Sequence, residues 1–337
     1  MNHIRLVKKL LEAFGAPRAS SQALKEYGLS SFCHPPGSPG HRRVRLSHAV
    51  LRAAISEIGA DFGDEIPFLL LKGEPLETLL FADDYVRATG DVDLLILPGD
   101  LEYARLRLQR LGYRALYDEA PRMWVHNQQA FRHEVHGVVV ELHWSVAEPR
   151  IAQPSPRELF ETRVPFEFRD GLVVDVLRPD WLFFQLVLHF HHHIGFAKGL
   201  VDIAGWCDRF GDQFDTEEML QRARRLGMYG MVQWPLHAIA ELVGEAPPLW
   251  DNGADWFVRS WAALSAGAMR DCLVRPARSD VAATLVAIMP RVGPLPAVTL
   301  QALRMLTADG DISDKGRALL QPLLHGPHAV GRWVNAR

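Results

Sequence analysis

Cysteine and long apolar runs are scarce in this sequence. The 337 residues include three cysteines, at 33, 207 and 272, and no CxxC pair. This excludes a disulfide scaffold and a thiolate zinc site, and it fits a reducing compartment. The most apolar stretch, 181–196, contains four histidines and is shorter than the roughly 20 residues that cross a bilayer. Residues 1–17 lack the unbroken apolar segment of a signal peptide, so we expect a cytoplasmic protein without a membrane partner.

An excess of charge of one sign is also missing. The chain has 37 basic and 40 acidic residues, which gives a net charge of −3. Strong nucleic-acid binding is therefore not expected, because bulk attraction to phosphates needs a basic surplus. Lysine is rare, with 6 against 31 arginines, a bias typical of a GC-rich genome. Apolar residues make up 48%, as in ordinary globular proteins, and the length suggests two domains or one large domain with an appendage.

Three common active-site motifs are absent as well. The sequence contains no GxSxG elbow, no GxxxxGK[ST] loop and no GxGxxG fingerprint. A Ser–His–Asp hydrolase, a P-loop site and a Rossmann dinucleotide site are therefore unsupported.

Strand signals are confined to the first half of the chain. Short apolar runs at 66–72 and 92–97 predict buried strands, and period-two segments around Gly137 and Gly171 predict two hairpins. From Pro179 onward the sequence predicts helices only, with starts near residues 199, 215, 228, 254, 280, 296 and 313.

We therefore predict an α+β fold, a mixed sheet with flanking helices, followed by an all-helical C-terminal domain. The predicted units are a helical segment over 1–60, a mixed α/β domain over 61–178 and a helical domain over 179–337. Asp100 and Asp180 are predicted to cap helices.

Two aspartates begin the second predicted strand, in the run Gly90-Asp-Val-Asp-Leu-Leu-Ile96. Residues two apart on a strand share a face, so Asp91 and Asp93 lie side by side. Two adjacent carboxylates repel each other and need a cation or a hydrogen-bond cage to stay ionised. Oxygen ligands on a rigid strand suit Mg²⁺. An aspartate pair at a strand start is also common without any such role.

A third acid, Glu141, interrupts the apolar strand Val138-Val-Val-Glu-Leu-His-Trp144 and shares a face with His143. Together with the aspartate pair it gives three carboxylates on strands of one sheet, a set able to hold two divalent ions. The alternative for Glu141 alone is the exposed face of an edge strand. His143 is either a substrate contact or a strand-packing residue.

The first strand ends in Lys72-Gly73 and is followed by a helix. Glycine lets a phosphate approach the backbone, the helix start offers N–H groups, and lysine adds a point charge. The alternative is a strand–helix junction with no ligand.

In this order the motifs LLKG, RxxGDVDLLI and VVVELHW resemble the bacterial family labelled uncharacterised nucleotidyltransferase, within the DNA polymerase β-like superfamily. The resemblance covers about residues 45–210. It implies the sheet fold above and transfer of a nucleotidyl group from an NTP with two Mg²⁺ ions, or Mn²⁺ in their place. By this resemblance Asp91, Asp93 and Glu141 are the catalytic metal ligands, and Lys72 with Gly73 holds the triphosphate.

The resemblance also assigns Arg87 to the nucleotide phosphates, with a surface ion pair to Asp83 or Asp84 as the alternative. It implies a biosynthetic enzyme acting on a hydroxyl or phosphate of a small molecule, a sugar, a peptide or a phosphopeptide, including peptide natural products. Two other functions remain open, a non-catalytic nucleotide- or peptide-binding protein and a phosphotransferase that uses the γ-phosphate of ATP. Glu74 favours the binding protein, because the superfamily that the chain resembles usually has Gly-Ser or Gly-Gly after the first strand, where this chain has Gly-Glu.

Histidines cluster near the end of the helix that follows Pro179. His189 and His193 are four residues apart, on one helix face, and could chelate zinc or contact substrate. The alternative is that they stabilise the helix C-terminus or line a cleft. Asp202 lies near enough in sequence to accept a hydrogen bond from one of them.

Overall fold

Seven strands form one mixed sheet in the computed structural model, which describes residues 4–26, 28–81, 85–116, 127–146, 154–192 and 197–270. The strands are β1 (Phe68–Leu70), β2 (Asp91–Ile96), β3 (Tyr113–Ala115), β4 (Gln128–His133), β5 (Val139–His143), β6 (Val164–Glu167) and β7 (Val173–Val176). Their order is β3-β4-β5-β2-β1-β7-β6. β2 runs parallel to β5 and antiparallel to β1, while β1 runs parallel to β7.

Helices cover this sheet and continue beyond it. They are α1 (Arg5–Ala13), α2 (Ser21–Glu26), α3 (Pro39–Phe62), α4 (Pro75–Phe81), α5 (Leu101–Arg110), α6 (Pro156–Glu161), α7 (Pro179–His192), α8 (Ala197–Phe210), α9 (Thr216–Arg225), α10 (Tyr229–Val243) and α11 (Trp256–Met269). The predicted mixed sheet with flanking helices is confirmed. From residue 179 to 270 the described residues contain helices and no strand, and the helices predicted near 280, 296 and 313 lie outside the described residues.

The two faces of β2 contact different apolar clusters. Val92, Leu94 and Ile96 pack with α3 and α5, whereas Leu95 belongs to a second cluster with α1, α4, α7 and α8. Alternation along the strand produces this division, because successive side chains point to opposite faces. Asp91 and Asp93 therefore share the face of Leu95, beneath the helices that follow residue 178.

The N-terminal helix packs with the C-terminal helices. The Asp208 carboxylate on α8 accepts hydrogen bonds from the backbone N–H groups of Leu6 and Val7, at 3.0 and 3.1 Å. These N–H groups have no partner within α1, so Asp208 acts as a remote cap. The predicted units 1–60 and 179–337 thus contact each other, and their boundaries stay a prediction.

Several local expectations differ from the structure. Asp100 precedes α5 but its side chain makes no capping hydrogen bond, because its backbone is already helical rather than extended. Asp180 lies inside the first turn of α7, where Arg178 binds its carboxylate at 2.6 and 2.7 Å and Arg222 also contacts it. The short strand β3 was not predicted, since three residues carry no period-two pattern. In the described part of the chain, no helix has the length and apolarity needed to cross a bilayer.

Candidate functional site

Register places the predicted acids on one sheet face. Asp93 of β2 pairs with Glu141 of β5, and Asp91 pairs with Val139 two residues earlier. In a parallel pair, residues in register point to the same side, so the carboxylates of Asp93 and Glu141 are neighbours. The Asp93 side chain is fully buried, whereas that of Glu141 is 21% exposed. The Asp93 carboxylate is thus shielded from solvent, whereas the Glu141 carboxylate is partly accessible.

Both carboxylate oxygens of Asp93 have partners. Lys72 donates from Nζ to Oδ2 at 2.6 Å, and His143 Nε2 lies 3.1 Å from Oδ1. Burial alone would raise the pKa of Asp93, but the Lys72 ammonium and His143 outweigh it and hold that pKa well below its ordinary value. Asp93 is therefore a carboxylate whose negative charge is offset by protein cations.

The pKa of Asp91 is shifted in the opposite direction from that of Asp93. Burial, and then the charge of Asp93, raise its pKa above the ordinary value, and Lys72 only partly offsets them. Its carboxylate lies within 3.5 Å of the Thr89 hydroxyl, at the limit of a hydrogen bond. A bound cation would favour the ionised form of Asp91.

His143 lies between two acids. Its Nε2 is 3.1 Å from Asp93 Oδ1 and 3.4 Å from Glu141 Oε2, and Gln128 donates a hydrogen bond to the same Glu141 oxygen at 3.3 Å. Burial opposes the charged imidazolium, but the hydrogen bonds to Asp93 and Glu141 raise the pKa of His143. The structure thus brings this predicted substrate contact into the acid cluster itself.

The donor set fits a divalent cation. One ligand atom from each of Asp93, Glu141 and His143 lies within 4.8 Å of the other two, and Asp91 precedes Asp93 on the same face. Hard oxygen ligands on two paired strands are the chemistry that Mg²⁺ or Mn²⁺ prefers. The Lys72 ammonium supplies positive charge at this point, which partly offsets the charge of the carboxylates.

Gly73 brings Lys72 to the acids. Its φ of +87° lies in the left-handed region, which other residues adopt only with strain. A Cβ at this position would lie 3.3 Å from the Thr89 hydroxyl oxygen and 3.5 Å from the Asp91 carbonyl oxygen. The loop therefore packs directly on the chain that enters β2, and glycine is needed both for its conformation and for this contact.

Arg87 is buried instead of forming a surface ion pair. Its Nε and Nη2 donate to the two carboxylate oxygens of Asp202, both at 2.7 Å, and its Nη1 donates to the Gly73 carbonyl at 3.3 Å. Asp83 and Asp84, the alternative partners, lie outside the described residues. The phosphate contact predicted for Arg87 stays a prediction, but all three guanidinium nitrogens already hold protein groups.

Asp202 binds Arg87, whereas the sequence predicted a hydrogen bond from a histidine near the end of α7. Both of its oxygens accept from Arg87, and none of the described contacts joins it to a histidine. His189 is half-buried on α7, and His193 lies outside the described residues, so the predicted pair stays a prediction. His191 of the same helix is buried, with its Nε2 2.9 Å from the Met231 carbonyl oxygen.

Glu74, which directly follows Gly73, is paired with a cation. Arg52 of α3 donates to its Oε1 at 2.6 Å and also binds Asp170 at 2.7 Å. Burial raises the pKa of Glu74 to about 7, although the Arg52 charge opposes that shift. Arg52 was not recognised from the sequence, because nothing in the helical pattern of α3 marks it as a partner of residue 74.

A second group of ligand atoms, from Glu57, His133 and His136, lies within 4.8 Å of one another. The two imidazole rings stack with centroids 3.6 Å apart. His133 Nδ1 accepts the backbone N–H groups of Val135 and His136, at 3.1 and 3.3 Å. An accepting Nδ1 puts the proton of the neutral ring on Nε2, which leaves a donor there and no lone pair for a metal. This group is accounted for by hydrogen bonds of the hairpin turn.

A comparison with known protein families finds a match that spans the sheet. A sequence model of the family described as "Uncharacterised nucleotidyltransferase" matches residues 40–244. The match begins in α3, ends directly after α10 and includes all seven strands of the described residues. A search of curated proteins gave no match.

Proposed function

This chain belongs to the uncharacterised nucleotidyltransferase family, and on that premise we propose that it transfers a nucleotidyl group from an NTP to a hydroxyl or phosphate of an acceptor, with Mg²⁺. The observation that carries the proposal is the register of Asp93 with Glu141, which assembles carboxylates from two strands beside Lys72. Catalysis by positioning and charge is what phosphoryl-group chemistry requires.

Asp91, Asp93 and Glu141 would hold the divalent ions, with His143 beside them. A bound cation at this point would neutralise triphosphate charge and favour the ionised form of Asp91. The fit rests on the oxygen donors that β2 and β5 hold side by side.

The residues of the chain itself supply binding and proton transfer. Lys72 and the Gly73 loop bind the triphosphate, since the loop lies directly against the start of β2. The acceptor oxygen attacks the α-phosphorus, the bond from that phosphorus to the bridging oxygen breaks, and pyrophosphate leaves. Glu141, the most exposed acid of the pair in register, accepts the proton of an acceptor hydroxyl.

The acceptor is proposed from the family resemblance as a sugar, a peptide or a phosphopeptide. A binding protein without catalysis was favoured by Glu74 alone, and the Arg52 pair weakens that argument because it offsets the extra negative charge.

The test is pyrophosphate release from each NTP with Mg²⁺, over a panel of sugar, peptide and phosphopeptide acceptors. We expect release by the wild-type chain and loss of at least a thousandfold in Asp93→Asn. Asp175→Asn is the matched control, since Asp175 is a half-buried strand residue of the same sheet that pairs with Arg163. Mass analysis of the acceptor separates a nucleotide adduct from the phosphate adduct of a γ-phosphotransferase. NTP binding that is identical in wild type and Asp93→Asn, without pyrophosphate from any acceptor, would contradict the proposal.

A further inference from the structure

Lys198 extends from α8 to the segment that enters β2. It lies in the first turn of α8, is half-buried, and donates from Nζ to the Ala88 carbonyl at 2.6 Å. Ala88 stands three residues before Asp91, in the segment that enters β2. One turn further along α8, Asp202 binds Arg87 of the same segment. These two contacts fix the first turn of α8 against the entrance of β2.

In the described part of the chain, the Lys198 amine is hydrogen-bonded to a backbone carbonyl and not to an acid, and it makes no ion pair. Burial first, and then the Arg87 charge, lower the pKa of Lys198 to about 7. The charges of Asp202, Lys72 and Asp91 also act on this pKa, and the contact with Ala88 places the amine at the segment that enters β2. Within the described residues, the Ala88 carbonyl takes one of the three donors of an ammonium.

Two other cations near the acids, Arg87 and Lys72, donate hydrogen bonds to protein acceptors. Arg87 uses its guanidinium on Asp202 and Gly73, and Lys72 binds Asp93. The chain has only 6 lysines against 31 arginines, yet two of the six lie at this site on opposite elements. A lysine ammonium here is a compact charge that can rotate toward a ligand. The Arg87 guanidinium cannot do so while it is held in its bidentate pair with Asp202.

We infer that Lys198 is a triphosphate-binding residue of this site and supplies, from α8, a phosphate contact of the kind that the family resemblance implies for Arg87. The inference rests on the proposed function, since it needs an NTP at the acids of β2 and β5. A phosphate anion would add the charge partner that the buried amine lacks.

Titration calorimetry tests this role. It measures binding of Mg²⁺–ATP and of Mg²⁺–tripolyphosphate to the full chain. Lys198→Met keeps the aliphatic stem, and Lys198→Arg keeps the charge. We expect Lys198→Met to weaken tripolyphosphate binding about ten- to a hundredfold, the usual loss for one charged hydrogen bond. Lys198→Arg should recover most of that loss. Lys8→Met, on the exposed side of α1, is the control for removal of one positive charge and should bind as wild type does.

The outcomes separate this inference from the proposed function. If Lys198→Met binds both probes like Lys8→Met while Asp93→Asn loses them, Lys198 has no phosphate role and the proposed site stands. If Lys198→Arg is as weak as Lys198→Met, with both chains folded by circular dichroism, the charge is not what matters and the inference fails. A wild-type chain that binds neither probe nor any other Mg²⁺–NTP would overturn the inference and the proposed function together.

Discussion

At the scale of single residues, the site consists of acids whose charge is offset unequally. Asp93 has an ammonium and an imidazole within 3.1 Å, whereas Asp91 has a hydroxyl at the limit of hydrogen bonding. Buried carboxylates without a partner are costly, so the stability of this region depends on Lys72. Loss of the Lys72 charge can therefore be measured as a loss of stability.

Removal of the ammonium in Lys72→Met should lower the free energy of unfolding by about 3 kcal/mol, because one partner of a buried ion pair is lost. Added Mn²⁺ should then raise the melting temperature of Lys72→Met more than that of wild type, since the ion replaces the missing charge. Thermal melts with and without Mn²⁺ measure both effects, with Lys25→Met, an exposed lysine of α2, as the control. Equal Mn²⁺ shifts in all three proteins would contradict the assignment of these acids to a cation.

Glu74 gives a pH dependence of known sign. Its pKa is raised from 4.5 to about 7, so the folded chain holds a proton that the unfolded chain releases. By linkage, this residue makes folding less favourable as pH rises from about 4.5 to about 7. Glu74→Gln should remove that decline, and urea unfolding at several pH values measures it. A slope in Glu74→Gln equal to that of wild type would show that Glu74 titrates normally in the fold.

At the scale of elements, two contacts join the loop after β1, the entrance of β2 and the start of α8. Arg87 connects the Gly73 carbonyl to Asp202, and Lys198 holds the Ala88 carbonyl. Much of this level could be predicted: the sequence located β1, β2 and both hairpins, and alternation placed the acids on one face. The pairing of Arg87 with Asp202 could not, because the two residues are 115 apart and no local pattern relates them.

The Arg87–Asp202 pair should behave as a coupled unit. Arg87→Met alone leaves a buried carboxylate and should cost about 3–5 kcal/mol of stability. The double variant Arg87→Met/Asp202→Leu should recover at least about 1 kcal/mol relative to the sum of the single changes. A double-mutant cycle by urea unfolding measures the coupling, and additive losses would contradict a direct pair.

Gly73→Ala tests the loop itself. An alanine at a φ of +87° costs about 1–2 kcal/mol, and its Cβ would press on the Thr89 hydroxyl. We expect lower stability and weaker Mg²⁺–NTP binding. Gly99→Ala is the matched control, because a Cβ there has open space and no positive φ is involved. NTP binding by Gly73→Ala at the strength of Gly99→Ala would remove the loop from the site.

At the scale of the whole molecule, the sheet separates two apolar clusters, and the acids lie on the side of the larger helical layer. That layer includes α1, which is joined to α8 through Asp208. The sequence predicted an all-helical part after residue 178 but not that α1 packs with it, since helix periodicity gives the buried face and not the partner. The site is therefore bounded by β2 and β5 on one side and by the start of α8 on the other.

A crystal structure of the chain with Mn²⁺ and a non-hydrolysable NTP, with the metal located by its anomalous signal, tests whether the acids of β2 and β5 bind the metal beside the nucleotide. We predict a manganese peak bonded to Asp91 and Asp93, with Glu141 beside it and the Lys72 ammonium moved from Asp93 to a phosphate oxygen. An NTP bound elsewhere, with no peak at these carboxylates and Lys72 still 2.6 Å from Asp93, would contradict the account.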